Sequence, residues 1–214
     1  GSLIDLHAAL AQRIFGVKPQ DQDDSKHRLP SKAINFGFWM GQTAKGLLVE
    51  LAKNGMQVGE DDAQQWLDEA HSTYKGARAY MDARIQEAKQ QGYVRCLSGR
   101  IRYIGGINSR DAHIREEAER LAFSTPIQEG AQYHMKAAEA CIWKDVLSFF
   151  WKRGQWVEPL LQIHDDILIE CQEDVAPLLN EFMVEAMATN YHHFSVPIKT
   201  DGKWGHNWAD LQKF

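Results

Sequence analysis

The stretch from Leu160 to Glu170, LLQIHDDILIE, constrains the chain more than any other. Apolar β-formers flank a histidine and two adjacent carboxylates, which predicts a short hairpin of buried strands with Asp165 and Asp166 at its tight turn. From Gly154 to Ile198 the sequence contains Asp and Glu but neither Lys nor Arg. Two carboxylates without a basic neighbour suit a hard divalent cation such as Mg²⁺, which takes oxygen ligands and keeps several waters. The same residues also suit a turn in which the Asp side chains bond their own backbone, and the residues alone leave both readings open.

A second pattern lies upstream. Residues 28–41 read RLPSKAINFGFWMG, a predicted helix with Pro30 in its first turn and Gly41 at its end. Arg28, Lys32, Phe36 and Met40 recur every four residues, so they share one slowly rotating face. Guanidinium, ammonium, aromatic ring and thioether in that order match a triphosphate followed by a base. Arg28 near a helix N-terminus opposes the macrodipole, a conflict that a bound polyphosphate would resolve. An amphipathic helix with two solvated cations and Phe36 in the core has the same spacing.

The chain of 214 residues, 44% hydrophobic, is long enough for one large domain or two small ones with a real core. No apolar run approaches the ~20 residues of a membrane span, and no signal peptide opens the chain; Gly1-Ser2 resembles an expression scar. Cys96, Cys141 and Cys171 are odd in number and widely spaced, which argues against a disulfide framework or structural zinc and for a reducing, intracellular compartment. Net charge is −5, but the charges segregate. Every charged residue from Lys89 to Arg110 is basic, and Lys26 to Lys53 carries five basic residues against Glu50. A basic region for phosphates beside an acidic metal seat is what phosphoryl transfer on nucleic acid needs.

The spacing R-x₃-K-x₃-F-G-x₃-G from Arg28 to Gly41 resembles motif B of family A DNA polymerases. QIHDDILIE resembles their motif C, usually His-Asp-Glu. Residues 119–130, ERLAFSTPIQEG, are similar to the family's ER-x₄-(T/A)-P-x-Q-G segment, and DLH at Asp5–His7 to its D-x-H. The resemblance implies an α+β fold: helical fingers over residues 1–125, including a small basic hairpin at 93–104, and over 126–214 the C-terminal part of an antiparallel palm sheet carrying the catalytic hairpin. It implies template-directed addition of dNTPs to a primer 3′ end with two Mg²⁺ ions. Arg28 and Lys32 would contact the triphosphate, Phe36 and Met40 the sugar and base, and Lys32 would be the acid for the leaving pyrophosphate. Asp165, with Asp166, would hold metal; His164 would lie beside the primer end. Arg120, Ser124 and Gln128 would contact template and minor groove, and Arg95, Arg100 and Arg102 are available to a template strand.

Four departures stand against the resemblance. Asp166 replaces the usual Glu, Met40 the usual Tyr, and Ser124 a common Asn. A DYSxIELR-like motif A, which carries the other metal aspartate in the family, is absent. A second polypeptide or upstream region bearing it is therefore an expected partner, beside primer-template DNA and dNTPs. A cytoplasmic or nucleoid location is implied, and the ending DGKWGHNW hints at a virus of a bacterial host. A single-subunit RNA polymerase shares the R-x₃-K helix and the HD hairpin, and a non-catalytic DNA-binding module could keep the same fold.

Further elements follow from caps and periodicity. Helices are predicted at 3–15 (Asp5 cap, Gly16 stop), 43–54, 60–74, 77–91, from Asp111 to Ser124, from Pro126 to Arg153 and at 175–190. Tyr133, Trp143, Phe149, Phe150 and Trp151 are expected in the core, Pro159 at an edge or bulge, and 196–200 as a last strand.

Overall fold

The computed structural model describes residues 5–214, so Leu3 and Ile4 of the first expected helix lie outside the described residues. Their contacts divide into two compact units, one ending at Ile127 and one spanning Gln128–Phe214. Among the described residues helices dominate, with three separate two-stranded antiparallel sheets, an α+β fold.

In the first unit, α1 (Leu6–Phe15) starts at Asp5, whose carboxylate accepts from the His7 and Ala8 N–H groups, and stops at Gly16 with φ 70°. Then come α2 (Leu29–Trp39), α3 (Ala44–Lys53) capped by Thr43, α4 (Glu60–Thr73) and α5 (Lys75–Gln91) closed by Gly92 with φ 78°. Leu10, Ile34, Phe38, Leu47, Leu51 and Leu67 build its main core. The hairpin β1 (Tyr93–Arg95) and β2 (Ile101–Tyr103) covers a smaller core of Ala88, Val94, Ile104, Ile107, Ala118 and Ala122.

Two helix boundaries differ from expectation. Helical backbone before α2 begins with a wide turn over Asp24–Arg28 capped by Asp23, so Arg28 sits at the end of that turn and not in a first turn. The two helices expected on either side of Thr125 are one, α6 (Ala112–Cys141), with Pro126 inside it. A proline in a helix interior removes one hydrogen bond and costs about 3 kcal/mol or more. Buried Ala118, Ala122 and Phe123 before it and Met135 and Ala138 after it offset that cost.

In the second unit, α6 continues through a wide turn at Ile142–Leu147 into α7 (Ser148–Trp151). The hairpin β3 (Val157–Ile163) and β4 (Asp166–Cys171) follows, with a register shift between Pro159 and Leu161 as the proline predicts. Helix α8 (Ala176–Ala188) packs Leu179 and Ala186 with Phe150, Leu147 and Val157. Phe150 is buried as expected, but Trp143 is 60% and Trp151 40% exposed. Nor are both strands buried: Leu160, Leu161 and Ile163 are 47%, 48% and 41% exposed, because the sheet has just two strands. Residues 196–200 pair with no strand among those described, and Val196 is 60% exposed; the last pairing joins β5 (Lys203–Trp204) to β6 (Gln212–Lys213).

No helix among the described residues is long and apolar enough to cross a membrane.

Candidate nucleotide site and acidic hairpin

Helix α2 has two faces. Pro30, Ser31, Ile34, Asn35 and Phe38 are buried, which leaves the row Arg28, Lys32, Phe36, Met40 on the outer side; Phe36 is 53% and Met40 44% exposed. The Lys32 ammonium lies 5.8 Å from the centre of the Phe36 ring, within the range of a cation–π attraction. Phe36 is thus an exposed ring and not a core residue.

Lys32, Phe36 and Met40 form one wall of an open cleft of about 1110 Å³. Arg120 of α6 lines the same cleft, with Glu116, Glu117 and His113 from its first turns, Lys45 and Glu50 from α3, and Asn54 just after α3. Gly41 makes the juxtaposition possible. It has φ 63°, and a Cβ there would stand 2.6 Å from Phe123 Cζ and 2.8 Å from Arg120 Cγ. Any other residue would therefore be strained and would push α6 away from the end of α2. The cleft is mixed in charge, and its α2 side alone sets a cation beside an exposed ring.

Arg28 is not part of that lining. Its Nε donates to Asp5 Oδ2 at 2.9 Å, an exposed ion pair, which contributes little by itself. Burial alone would raise the Asp5 carboxyl, but hydrogen bonds from the Ala8 N–H, Arg28 and the His7 N–H outweigh it and hold it below its usual value of 3.8.

His7 has no role in the sequence reading, yet the fold brings it to this row with its ring centre 6.2 Å from that of Phe36. Its tautomer can be deduced. The buried Asn35 amide nitrogen donates to the Leu6 carbonyl at 3.4 Å and lies 3.0 Å from His7 Nδ1. A carbonyl only accepts, so that atom is nitrogen, Nδ1 is an acceptor, and the proton of the neutral ring sits on Nε2. Burial pushes the His7 pKa below 6.5, and the charges of Arg28 and Lys32 add to that against the opposing pull of Asp5. His7 is then a neutral donor among cations. Imidazole ¹⁵N shifts at neutral pH should show Nε2 protonated and Nδ1 bare; the opposite pattern would mean that the Asn35 amide is turned over. The residues Asp-x-His at a helix start were the available signal, but the partner Asn35 lies 28 positions away.

On α6 the residues Arg120, Ser124 and Gln128 are again four apart, but their surroundings differ. Arg120 lines the cleft, Ser124 is buried at 7% exposure, and Gln128 is exposed in the second unit.

The second unit carries the acidic hairpin. Its turn is His164–Asp165, closed by pairing of Ile163 with Asp166, so Asp166 is the first residue of β4 and not a turn residue. His164 has φ 55°, a left-handed conformation that is uncommon for a residue with a Cβ, as His193 also has. His164, Asp165 and Asp166 are all exposed, and among the described residues neither aspartate is in an ion pair. No group of three His, Cys, Asp or Glu side chains poised for a metal exists among the described residues. Two unpaired carboxylates still fit Mg²⁺, which is commonly held by one or two carboxylates with water and substrate phosphates completing its shell.

Comparison with known proteins bears on both regions. A family model described as DNA polymerase family A matches residues 2–210. DNA polymerase I of Bacillus subtilis is 33% identical over 209 residues, covering 98% of this chain and 22% of that protein. The thermostable DNA polymerase I of Thermus thermophilus is 31% identical over 212 residues, covering 97% of this chain and 23% of that one. Among solved structures, the POL domain of Pol1 from M. smegmatis, in complex with DNA primer-template and dNTP, matches with a TM-score of 0.76 at 29% identity. That match covers 91% of this chain and 32% of the solved one. The chain thus spans under a quarter of the length of the curated relatives it matches.

Proposed function

Because this chain belongs to DNA polymerase family A, we propose that it forms the fingers and the C-terminal part of the palm of a DNA-directed DNA polymerase, with residues 1–125 and 126–214 as those two parts. The observation that carries the reading is the exposed row on α2. Lys32 and Phe36 stand side by side on a cleft that Arg120 shares, with Arg28 and His7 at the start of the row. A dNTP fits this order. Its phosphates meet Arg28, Lys32 and the Nε2–H of His7, and its sugar and base lie over Phe36 and Met40.

Lys32 then has two tasks, holding the triphosphate and giving a proton to the departing pyrophosphate oxygen. Arg120 and Gln128 face the template and the minor groove, where acceptors are common to all base pairs, so pairing geometry is tested without sequence being read. The buried Ser124 supports α6 between them. His164 stands beside the primer end.

Asp165 and Asp166 are the residues that would hold Mg²⁺. When bound, the ions supply charge neutralisation at the phosphates and a more acidic primer hydroxyl. Asp166 is one methylene shorter than the usual Glu, so Asp165 is the principal ligand. The remaining carboxylate comes from outside these 214 residues, which contain no DYSxIELR-like segment.

The test is calorimetric titration of a dNTP into the purified chain and its Lys32→Ala variant. A charge-assisted hydrogen bond contributes about 1.5–3 kcal/mol, so the variant should bind about tenfold or more weakly. Equal affinity would remove the nucleotide from this cleft and with it the proposed role of α2.

A further inference from the structure

Trp143 and Trp151 are exposed where the sequence predicts core residues, and neither belongs to the nucleotide cleft or to the acidic turn. Trp143 lies in the wide turn Ile142–Leu147, and Trp151 ends α7. At 3.6 residues per turn, side chains eight positions apart stand about 80° out of line. The i→i+5 bonding of the wide turn takes more residues per revolution and removes much of that offset. The two indoles accordingly meet edge to face, with centroids 5.5 Å apart. The Trp151 Nε1 donates to the Val157 carbonyl at 2.9 Å, which fixes that ring at the start of β3. Single exposed apolar side chains are ordinary, but a braced pair of indoles is more than core packing requires.

Charge gathers at the same place. Between Lys136 and Lys199 the basic residues are Lys144, Lys152 and Arg153, and each stands within two positions of one of these tryptophans. All three are exposed, and among the described residues none is in a salt bridge. The Arg153 guanidinium lies 3.5 Å from the centre of the Phe149 ring, and its Nη1 donates to the Phe149 carbonyl at 2.8 Å. That guanidinium is thereby held in place with its charge intact. The result is an apolar pair with a positive rim in a stretch that is otherwise acidic.

We propose that this face of the second unit docks an acidic peptide segment of a partner protein, with an apolar side chain seated against the Trp143–Trp151 pair and carboxylates facing Lys144, Lys152 and Arg153. Trp and Arg are enriched among the residues that carry binding energy at protein interfaces, and a rim of one sign steers a partner of the other. The exposed Asp145, next to Lys144, opposes a polyanion charged at every phosphate. A peptide can place its carboxylates where the cations stand. The location leaves the acidic turn free: β3 runs from Val157 to Ile163, about 20 Å at the rise of a strand, so the patch sits at the opposite end of β3 from Asp165. The inference does not rest on the nucleotide reading of α2.

The experiment is fluorescence anisotropy of a labelled synthetic peptide, Phe flanked on both sides by Asp and Glu, titrated with the full chain. A second peptide has Asn and Gln in place of the acids, and a third has Ala in place of Phe. The first should bind saturably and the other two much more weakly. Trp143→Ala should weaken the acidic peptide about tenfold or more, as expected of a Trp anchor. Lys144→Gln combined with Lys152→Gln should weaken it too and flatten its dependence on salt, since exposed charges are screened. These three side chains are exposed, and circular dichroism confirms that the variants fold. Failure of the acidic peptide to bind, wild-type affinity in either variant, or equal binding of the neutral peptide would overturn the proposal. So would loss of binding to a single-stranded oligonucleotide or to anionic phospholipid vesicles on Trp143→Ala, which would give the patch to nucleic acid or membrane. A longer polymerase that contains this region should bind the same peptide; if it does not, the rest of that chain covers the patch and the inference fails.

Discussion

Replacing Asp165 by Asn in a polymerase that contains this region is expected to abolish nucleotide addition while leaving DNA affinity nearly unchanged. Asparagine keeps the shape of the side chain and its fit to the hairpin turn, where Asp165 is exposed and free of ion pairs among the described residues. Folding therefore has little to lose. What is lost is one negative charge at the place proposed for Mg²⁺, and metal ions at such sites contribute several kcal/mol of transition-state stabilisation, or about a thousandfold in rate. Single-turnover extension of a labelled primer measures the rate, and anisotropy of the same primer-template measures the affinity. Appreciable extension by the Asn variant would mean that Asp165 does not hold metal. The neighbouring change Asp166→Asn should cost less, because Asp166 belongs to the strand and its position already departs from the usual Glu.

The sequence made this comparison possible because its two informative stretches are local. A row of residues four apart on α2 needs only helical geometry to reach one face, and the exposed face is where Lys32, Phe36 and Met40 were found. Likewise Pro159 announced its irregularity, and Asp5 and Gly16 marked the ends of α1. Features that depend on distant partners were not legible. His7 gains its fixed tautomer from Asn35, and Arg120 reaches the cleft because Gly41 lets α6 approach α2. The continuity of α6 through Pro126 was hidden for a related reason. Local preference ends a helix before a proline, and the burial that overrides it comes from residues on both sides. The exposure of Leu160, Leu161 and Ile163 could not be read either, since an apolar run says that a strand wants cover and not whether cover is present.

That exposed hairpin leads to the second large effect: the purified 214-residue chain should show no primer extension, and a segment resembling DYSxIELR, supplied in a longer chain or a separate polypeptide, should restore it. Two Mg²⁺ ions carry four positive charges, and Asp165 with Asp166 can offset half of that, so metal would be held weakly and the primer hydroxyl left unactivated. The packing points the same way. A two-stranded hairpin is marginal by itself, and an unpaired strand edge with apolar neighbours invites another strand. Leu160, Leu161 and Ile163 lie on β3, close to the turn that carries the aspartates. A strand added there would cover apolar surface and bring its own carboxylate to the same end of the sheet in a single step. Extension assays of the chain with Mg²⁺, with and without the added segment, measure the effect directly. Robust extension by the chain without any addition would show that a carboxylate within it completes the site, and Asp5 and Asp201 are the ones to replace next. Both are already engaged, Asp5 with Arg28 and Asp201 with Lys213, so recruiting either to metal would require breaking an exposed ion pair, a small cost that leaves the experiment to decide.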